Sequence, residues 1–109
     1  LDAIHRAKRA VRKVYLDVKL VEYLLDIAQH TREHHYISAG ISTRGAISMA
    51  TAARAAAYLD GREYVIPEDV KQIAVPVGAH RLIMDPEHQS LNKREVMLSI
   101  LDSVKIPMV

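Results

Sequence analysis

Leu1, Ile4, Ala7, Val11 and Val14 recur every three or four residues at the start of the chain. That spacing lines one face of an α-helix. It predicts a first helix over about residues 1–13 whose outer face is basic: Arg6, Lys8, Arg9, Arg12 and Lys13 stand there against a single acid, Asp2. A second helix should begin behind Asp17, whose carboxylate can cap its first turn. Leu20, Leu24 and Ile27 make one stripe and Val21, Leu25 and Ala28 its neighbour, carrying the helix to about His34. His30, His34 and His35 then stand near its end, where positive charge suits the dipole.

The third helix is read from about Thr43 to Leu59. Asp60-Gly61 ends it, because glycine readily takes the left-handed conformation that closes a helix. Its alanines (Ala46, Ala50, Ala52, Ala53, Ala55, Ala56 and Ala57) fall on nearly every side. A helix that is small and apolar all round predicts a central position with several neighbours. A short extended link, Arg62 to Ile66, leads to Pro67 at the favoured first position of a fourth helix, where Glu68 and Asp69 complement the dipole. Val70, Ile73, Ala74 and Val77 form its inward stripe, and Pro76 and Gly78 should kink or end it. His80 to Met84 reads as extended before the turn at Asp85-Pro86. The segments near 62–66 and 80–84 are candidates for one short hairpin. Asn92 with Glu95 signals a capping box for a last helix with Val96, Ile100 and Val104 inward, stopping before Pro107.

Composition narrows the class. The chain has 109 residues, half of them hydrophobic, with five Tyr, no Phe and no Trp. A core of Leu, Ile, Val, Met and Ala favours close helix packing. The fold class predicted is therefore all-α, a compact bundle of about five helices forming a single domain over residues 1–109. The absence of Cys excludes disulfides, a thiol nucleophile and a Cys-based zinc site. No apolar run approaches the ~20 residues of a membrane span, and the basic, amphipathic start is not a signal peptide. The cytoplasm is the expected location. The chain opens at Leu1 without Met, so it is read as a piece of a larger protein. The net charge of +2 says little by itself.

One segment breaks helix rules. In Gly40-Ile41-Ser42-Thr43-Arg44-Gly45, Ser42 is a good N-cap, which puts Arg44 and Gly45 in the first helical turn. A cation there opposes the dipole, and glycine is a poor helix former. Conflicts of this kind gather at functional sites. A bound anion would resolve it by accepting from the free N–H groups and pairing with Arg44. Phosphate fits best. The alternatives for Arg44 are a structural ion pair or simple solvation.

The same segment resembles the sensor-2 motif of MoxR-type AAA+ ATPases, commonly Gly-Ala-Ser-Pro-Arg-Ala. Gly61 to Val70 resembles the family's following segment, His80-Arg81-Leu82 its His-Arg-hydrophobic element, and Tyr23 and Thr31-Arg32 also match. The likeness covers nearly the whole chain, with Thr43 in place of Pro and Gly45 in place of Ala as departures. The resemblance implies a C-terminal helical lid that closes over ATP held by a larger α/β domain. In that role Arg44 reaches the terminal phosphate. Gly40, Ile41, Ser42 and Thr43 shape the site, and Tyr23 and Ile27 are candidates to pack on adenine, although their spacing serves ordinary core packing equally well. It also implies Mg²⁺ held by the α/β domain, neighbouring subunits in an oligomeric ring, and a client protein to be remodelled or matured. No phosphate-binding loop or acidic strand end is present, so this segment alone is not expected to hydrolyse ATP.

Two other function classes stay on the page. Arg6, Arg9 and Lys13 could make a nucleic-acid-binding helix, but no aromatic interleaves them and the bland reading is a solvated face. A helical adaptor without a ligand is the third. His30 and His34 are four apart as metal ligands would be, yet no nearby acid completes a set. Arg81 fits either a functional role or a partly buried hydrogen-bond network.

Overall fold

The computed structural model describes residues 1–109. Five α-helices carry the chain: α1 (Asp2–Arg12), α2 (Val18–Glu33), α3 (Thr43–Leu59), α4 (Pro67–Ile73) and α5 (Lys93–Ser103). The caps stand where the sequence puts them. Asp17 accepts from the Lys19 N–H at 2.9 Å, and Asn92 accepts from the Arg94 and Glu95 N–H groups at 2.9 and 3.3 Å. Gly61 closes α3 with φ of +79°, a conformation costly for any side-chain-bearing residue.

The core is built from α2, α3, α4 and α5. Leu20, Tyr23, Leu24, Ile27, Ala28 and Thr31 are the buried face of α2. Val21 and Leu25, expected beside them, are 37% and 42% exposed, because one stripe of α2 suffices to meet α3 and α5. In α3 the buried positions are Gly45, Ala46, Met49, Ala53 and Ala57, one face at four-residue spacing. The helix contacts α1, α2 and α4, but Ile47 and Leu59 remain exposed. It is central without being enclosed. Alanine offers too little area to draw a neighbour onto every side.

Pro76 reshapes the end of α4. Its ring nitrogen cannot donate to a carbonyl one turn back, and the chain widens into a π-helical turn over Ala74–Gly78, followed by a 3₁₀ turn at Ala79–Arg81. A second 3₁₀ turn covers Pro86–His88. The one two-stranded antiparallel pair joins β1 (Ile37–Ala39) to β2 (Ile83–Met84). Residues 62–66 are not its partner. They pair instead with Tyr15, whose N–H donates to the Glu63 carbonyl at 2.8 Å and whose carbonyl accepts from Val65 at 2.9 Å. Tyr15 is brought there by the end of α1, which no local pattern reveals.

Two polar arrangements lock the bundle. Asp69 is almost wholly buried, and its two oxygens accept from both terminal nitrogens of Arg62 at 2.6 Å each. One of them also accepts from the Ile66 N–H at 2.8 Å, capping α4. Arg62 reaches Asp60 as well, at 3.0 Å. So Asp69, expected to serve the helix dipole, is chiefly one half of a two-pronged ion pair. Burial alone would raise its pKa. Arg62 and the Ile66 N–H outweigh burial and hold it below the usual carboxylate range.

The second lock joins α2 to the segment before α3. The Thr31 hydroxyl donates to the Ala28 carbonyl at 2.6 Å and accepts from the Ile41 N–H at 2.8 Å. Gly40 lies so close to α2 that a Cβ there would stand 2.6 Å from the Thr31 carbonyl carbon and 2.7 Å from the Arg32 nitrogen.

Two outcomes are expected. A carboxylate whose folded pKa is depressed stabilises the fold above its unfolded pKa and loses that contribution as pH falls through the folded value. Thermal melting should therefore show an acid-induced loss below about pH 4, and Asp69→Asn should flatten it while costing on the order of 2–3 kcal/mol at neutral pH. Retention of the full acid-sensitive component in Asp69→Asn would remove Asp69 as its source. Thr31→Val leaves the Ile41 N–H buried without a partner and should cost about 1–3 kcal/mol. Gly40→Ala should be at least as damaging, because backbone must move. Denaturant titration of both variants checks this, and an unchanged midpoint for Gly40→Ala would contradict the close approach.

Candidate functional site

The start of α3 is shaped by a chain of local causes. Ser42 accepts from the Gly45 N–H at 3.0 Å and so caps the helix. Its carbonyl takes the Ala46 N–H at 2.9 Å. The Thr43 and Arg44 N–H groups are left without a partner in the chain. Such unspent donors at the positive end of a helix favour an anion.

Three guanidinium groups belong to this corner. Arg44 is exposed, with no hydrogen bond and no acid within salt-bridge distance. Arg32 reaches over from α2: one terminal nitrogen donates to the Ile41 carbonyl at 2.8 Å and the other to Gln29 Oε1 at 2.8 Å. Its charge is met by dipoles and by no carboxylate. Arg81 crosses the first turn of α3, since a Cβ on Gly45 would stand 3.3 Å from the Arg81 Cδ and 3.0 Å from the Ile41 Cγ2. Gly45 is thus explained by what lies against it. The helix propensity it forgoes, roughly 1 kcal/mol relative to Ala, leaves room for the Ile41 side chain and the Arg81 stem.

The sequence-predicted residues divide into two groups. Ser42, Thr43 and Arg44 are exposed at the helix start. Gly40 and Ile41 set its position instead of facing a ligand. The Ile41 side chain is wholly buried, its N–H is held by Thr31 and its carbonyl by Arg32. Tyr23 and Ile27, candidates for an adenine-packing surface, are 2% and 0% exposed and belong to the core. The side chains of Tyr23, Ile27 and Ile41 therefore pack in the core of this chain. The Tyr23 hydroxyl is buried without a hydrogen-bond partner, and burial first, then Glu68, raises its pKa, so it stays protonated.

The histidines do other work than expected. His34 is held below the ordinary histidine range by burial, and further by His35 and His88. A neutral His34 adds no charge to the helix end. Its Nδ1 accepts from the Tyr36 N–H at 3.1 Å, and its ring stacks on that of His35. His30 Nδ1 lies 2.8 Å from the Asp26 carbonyl, which puts the proton on that nitrogen. No group of three or more His, Cys, Asp or Glu is arranged to hold a metal ion. No helix is long and apolar enough to cross a membrane.

Arg32 and Arg81 are the residues that sequence reasoning left without a role at this site. A threonine on the otherwise apolar line Leu20, Leu24, Ile27, Thr31 signals a polar partner in the core, which is the Ile41 N–H. Arg81 is marked by its His80-Arg81-Leu82 motif, but its place beside α3 depends on the π-helical and 3₁₀ turns that deliver it.

The fold is shared with proteins of known kind. The AAA lid domain family profile matches residues 29–100. YeaC of Bacillus subtilis, whose function is uncharacterised, is 35% identical over 102 residues, covering 92% of this chain and 32% of that protein. The chaperone MoxR1 of Mycobacterium tuberculosis is 30% identical over 101 residues, covering 83% of this chain and 27% of that protein. A crystal structure of a Cytophaga hutchinsonii protein, provisionally assigned as an ATPase, superposes with a TM-score of 0.85 at 32% identity, over 92% of this chain and 34% of that one. The chain thus spans about a third of the length of the relatives it matches. With its helical bundle and the order of its motifs, it belongs to the AAA lid domain family, as the lid of a MoxR-type AAA+ ATPase.

Proposed function

We propose that this chain is the nucleotide-sensing lid of a MoxR-type ATPase, with Arg44 the sensor-2 arginine directed at the terminal phosphate of ATP. The observation that supports this most is the unpaired charge at the start of α3. Where this fold uses an arginine structurally, at Arg62, it surrounds it with two carboxylates. Arg44 and Arg81 have none within reach, and the Thr43 and Arg44 N–H groups are free at the helix start. Polyphosphate is the ligand chemistry that uses all of these at once.

ATP fits this donor set through its phosphates. Mg²⁺ does not, because residues 40–45 offer no carboxylate. A magnesium ion accompanying the nucleotide would be held by the α/β domain of the longer protein. Bound there, the nucleotide supplies the phosphoryl group. This chain's part is to bring a planar cation to the oxygens where negative charge gathers, and Ser42 and Thr31 hold the helix start at a fixed height for that purpose. Closure of the lid would couple phosphate occupancy to the angle between domains and so to ring neighbours. Remodelling or maturation of a client protein is the work such coupling would drive. The name of the chaperone MoxR1 supports that part of the reading.

The test is made in the full-length ATPase that carries this lid. Arg44→Ala should lower steady-state ATP hydrolysis by about tenfold to a thousandfold with the melting temperature unchanged or slightly raised, since a cation opposing the helix dipole is gone. Arg44→Lys should recover only part of the rate, having lost the planar fork. Normal turnover in Arg44→Ala with a lowered melting temperature would make Arg44 a structural residue and end the sensor assignment.

A further inference from the structure

We propose that the groove between α1 and α3 is a docking surface for an acidic amphipathic helix of a partner protein. α1 buries none of its own residues. Leu1 and Ile4, on its apolar stripe, are 91% and 57% exposed, and on α3 Leu59 is 83% exposed. Between the two helices runs a groove of about 610 Å³, lined on its apolar side by Ile4, Ala7, Val11, Ala55, Tyr58 and Leu59 and edged by Lys8 and Arg12. A helix in a protein draws most of its stability from covering such a stripe, and one of 11 residues is marginal without that cover.

Charge carries the second deficit. Lys8 and Arg12, the two cations that border the groove, are four apart on α1. Like charges at this spacing are neighbours on a helix surface and repel. No acid forms a salt bridge with either of them. One occupant removes both deficits: a helix with an apolar stripe for the floor and Glu or Asp along the flank that meets Lys8 and Arg12. Two helices side by side present the shape that takes a third, and complementary charge fixes its orientation and speeds encounter. A second copy docking through the same groove would set Lys8 and Arg12 against the same two cations. Nucleic acid would use the cations but leave the apolar floor unserved.

The probe is a synthetic capped peptide of about 15 residues, with leucines on one face and glutamates on both flanks. The control keeps the leucines and carries lysines. Each is titrated into the chain while amide chemical shifts are followed. The glutamate peptide should bind at least about tenfold more tightly at low salt, with the gap narrowing as salt screens Lys8 and Arg12, and shifts should gather on residues 4–12 and 55–59. Lys8→Glu combined with Arg12→Glu should reverse the preference. Leu59→Ser, at an exposed position that leaves α1 intact, should weaken both peptides.

Equal binding of the two peptides, or shifts elsewhere, would overturn the proposal. So would tighter binding of a DNA duplex than of the glutamate peptide, or self-association that buries the groove. The titration is repeated on the full-length ATPase. Loss of glutamate-peptide binding there would mean that the rest of the protein covers the groove, and would overturn the proposed partner.

Discussion

The seating of Ile41 is the contact on which the rest of the structure depends. Its side chain is wholly buried, and two glycines make the space. A Cβ on Gly45 would stand 3.0 Å from Ile41 Cγ2, and a Cβ on Gly78 would stand 3.3 Å from its Cδ1 and 3.4 Å from Met97 Cε. One side chain thereby lies against α3 and the π-helical turn. Its backbone joins α2, through Thr31 on the N–H and Arg32 on the carbonyl. Moving Ile41 means opening three elements at once, so the residue that follows it, the Ser42 cap, has little freedom. The position of the helix start, and with it of Arg44, is inherited from apolar packing and two hydrogen bonds one residue upstream.

That arrangement separates rigidity from reactivity. The backing is dense and satisfied, while the front is polar and unsatisfied. Thr31 spends its hydroxyl on Ala28 and Ile41, and Arg32 spends its donors on Ile41 and Gln29. Arg44 and two N–H groups spend nothing within the chain. A fixed helix start holds its free N–H groups ready for a ligand, while the exposed Arg44 side chain has still to be ordered when one arrives. The contrast with Arg62 is instructive. There the two-pronged pair with the buried Asp69 clamps the link before α4, and breaking such a pair is costly because it strands a buried charge. Both uses of arginine rest on its planar fork.

The two ends of α3 are left unfinished in different ways. Its start is short of anions, and its end, beside α1, is short of apolar cover. A lid domain has reason for both. Surfaces that meet a ligand or another chain cannot be fully satisfied within the segment that carries them.

The sequence by itself determined the helices, their caps and the class of fold. These follow from signals within a few residues of one another: the stripes of α2 and α5, Asp17, Ser42, Asn92, Pro67 and Gly61. It also marked the corner at Arg44, because a cation and a glycine in a first helical turn conflict locally and the conflict is visible locally. The motif order from Tyr23 to Leu82 then carried the family. Only the tertiary structure decided which apolar residues have partners. Periodicity shows that a face is apolar but not whether another element covers it, so Tyr23 and Ile27 went inside while Leu1, Ile4 and Val21 did not. It also decided the strand partner of residues 83–84 and the clamp of Arg62 on Asp69. Arg32 and Arg81 reach the start of α3 in the same way, and so does the neutral state of His34. Each of these joins residues distant along the chain or depends on burial, and neither distance in space nor solvent exposure is written in the spacing of a sequence.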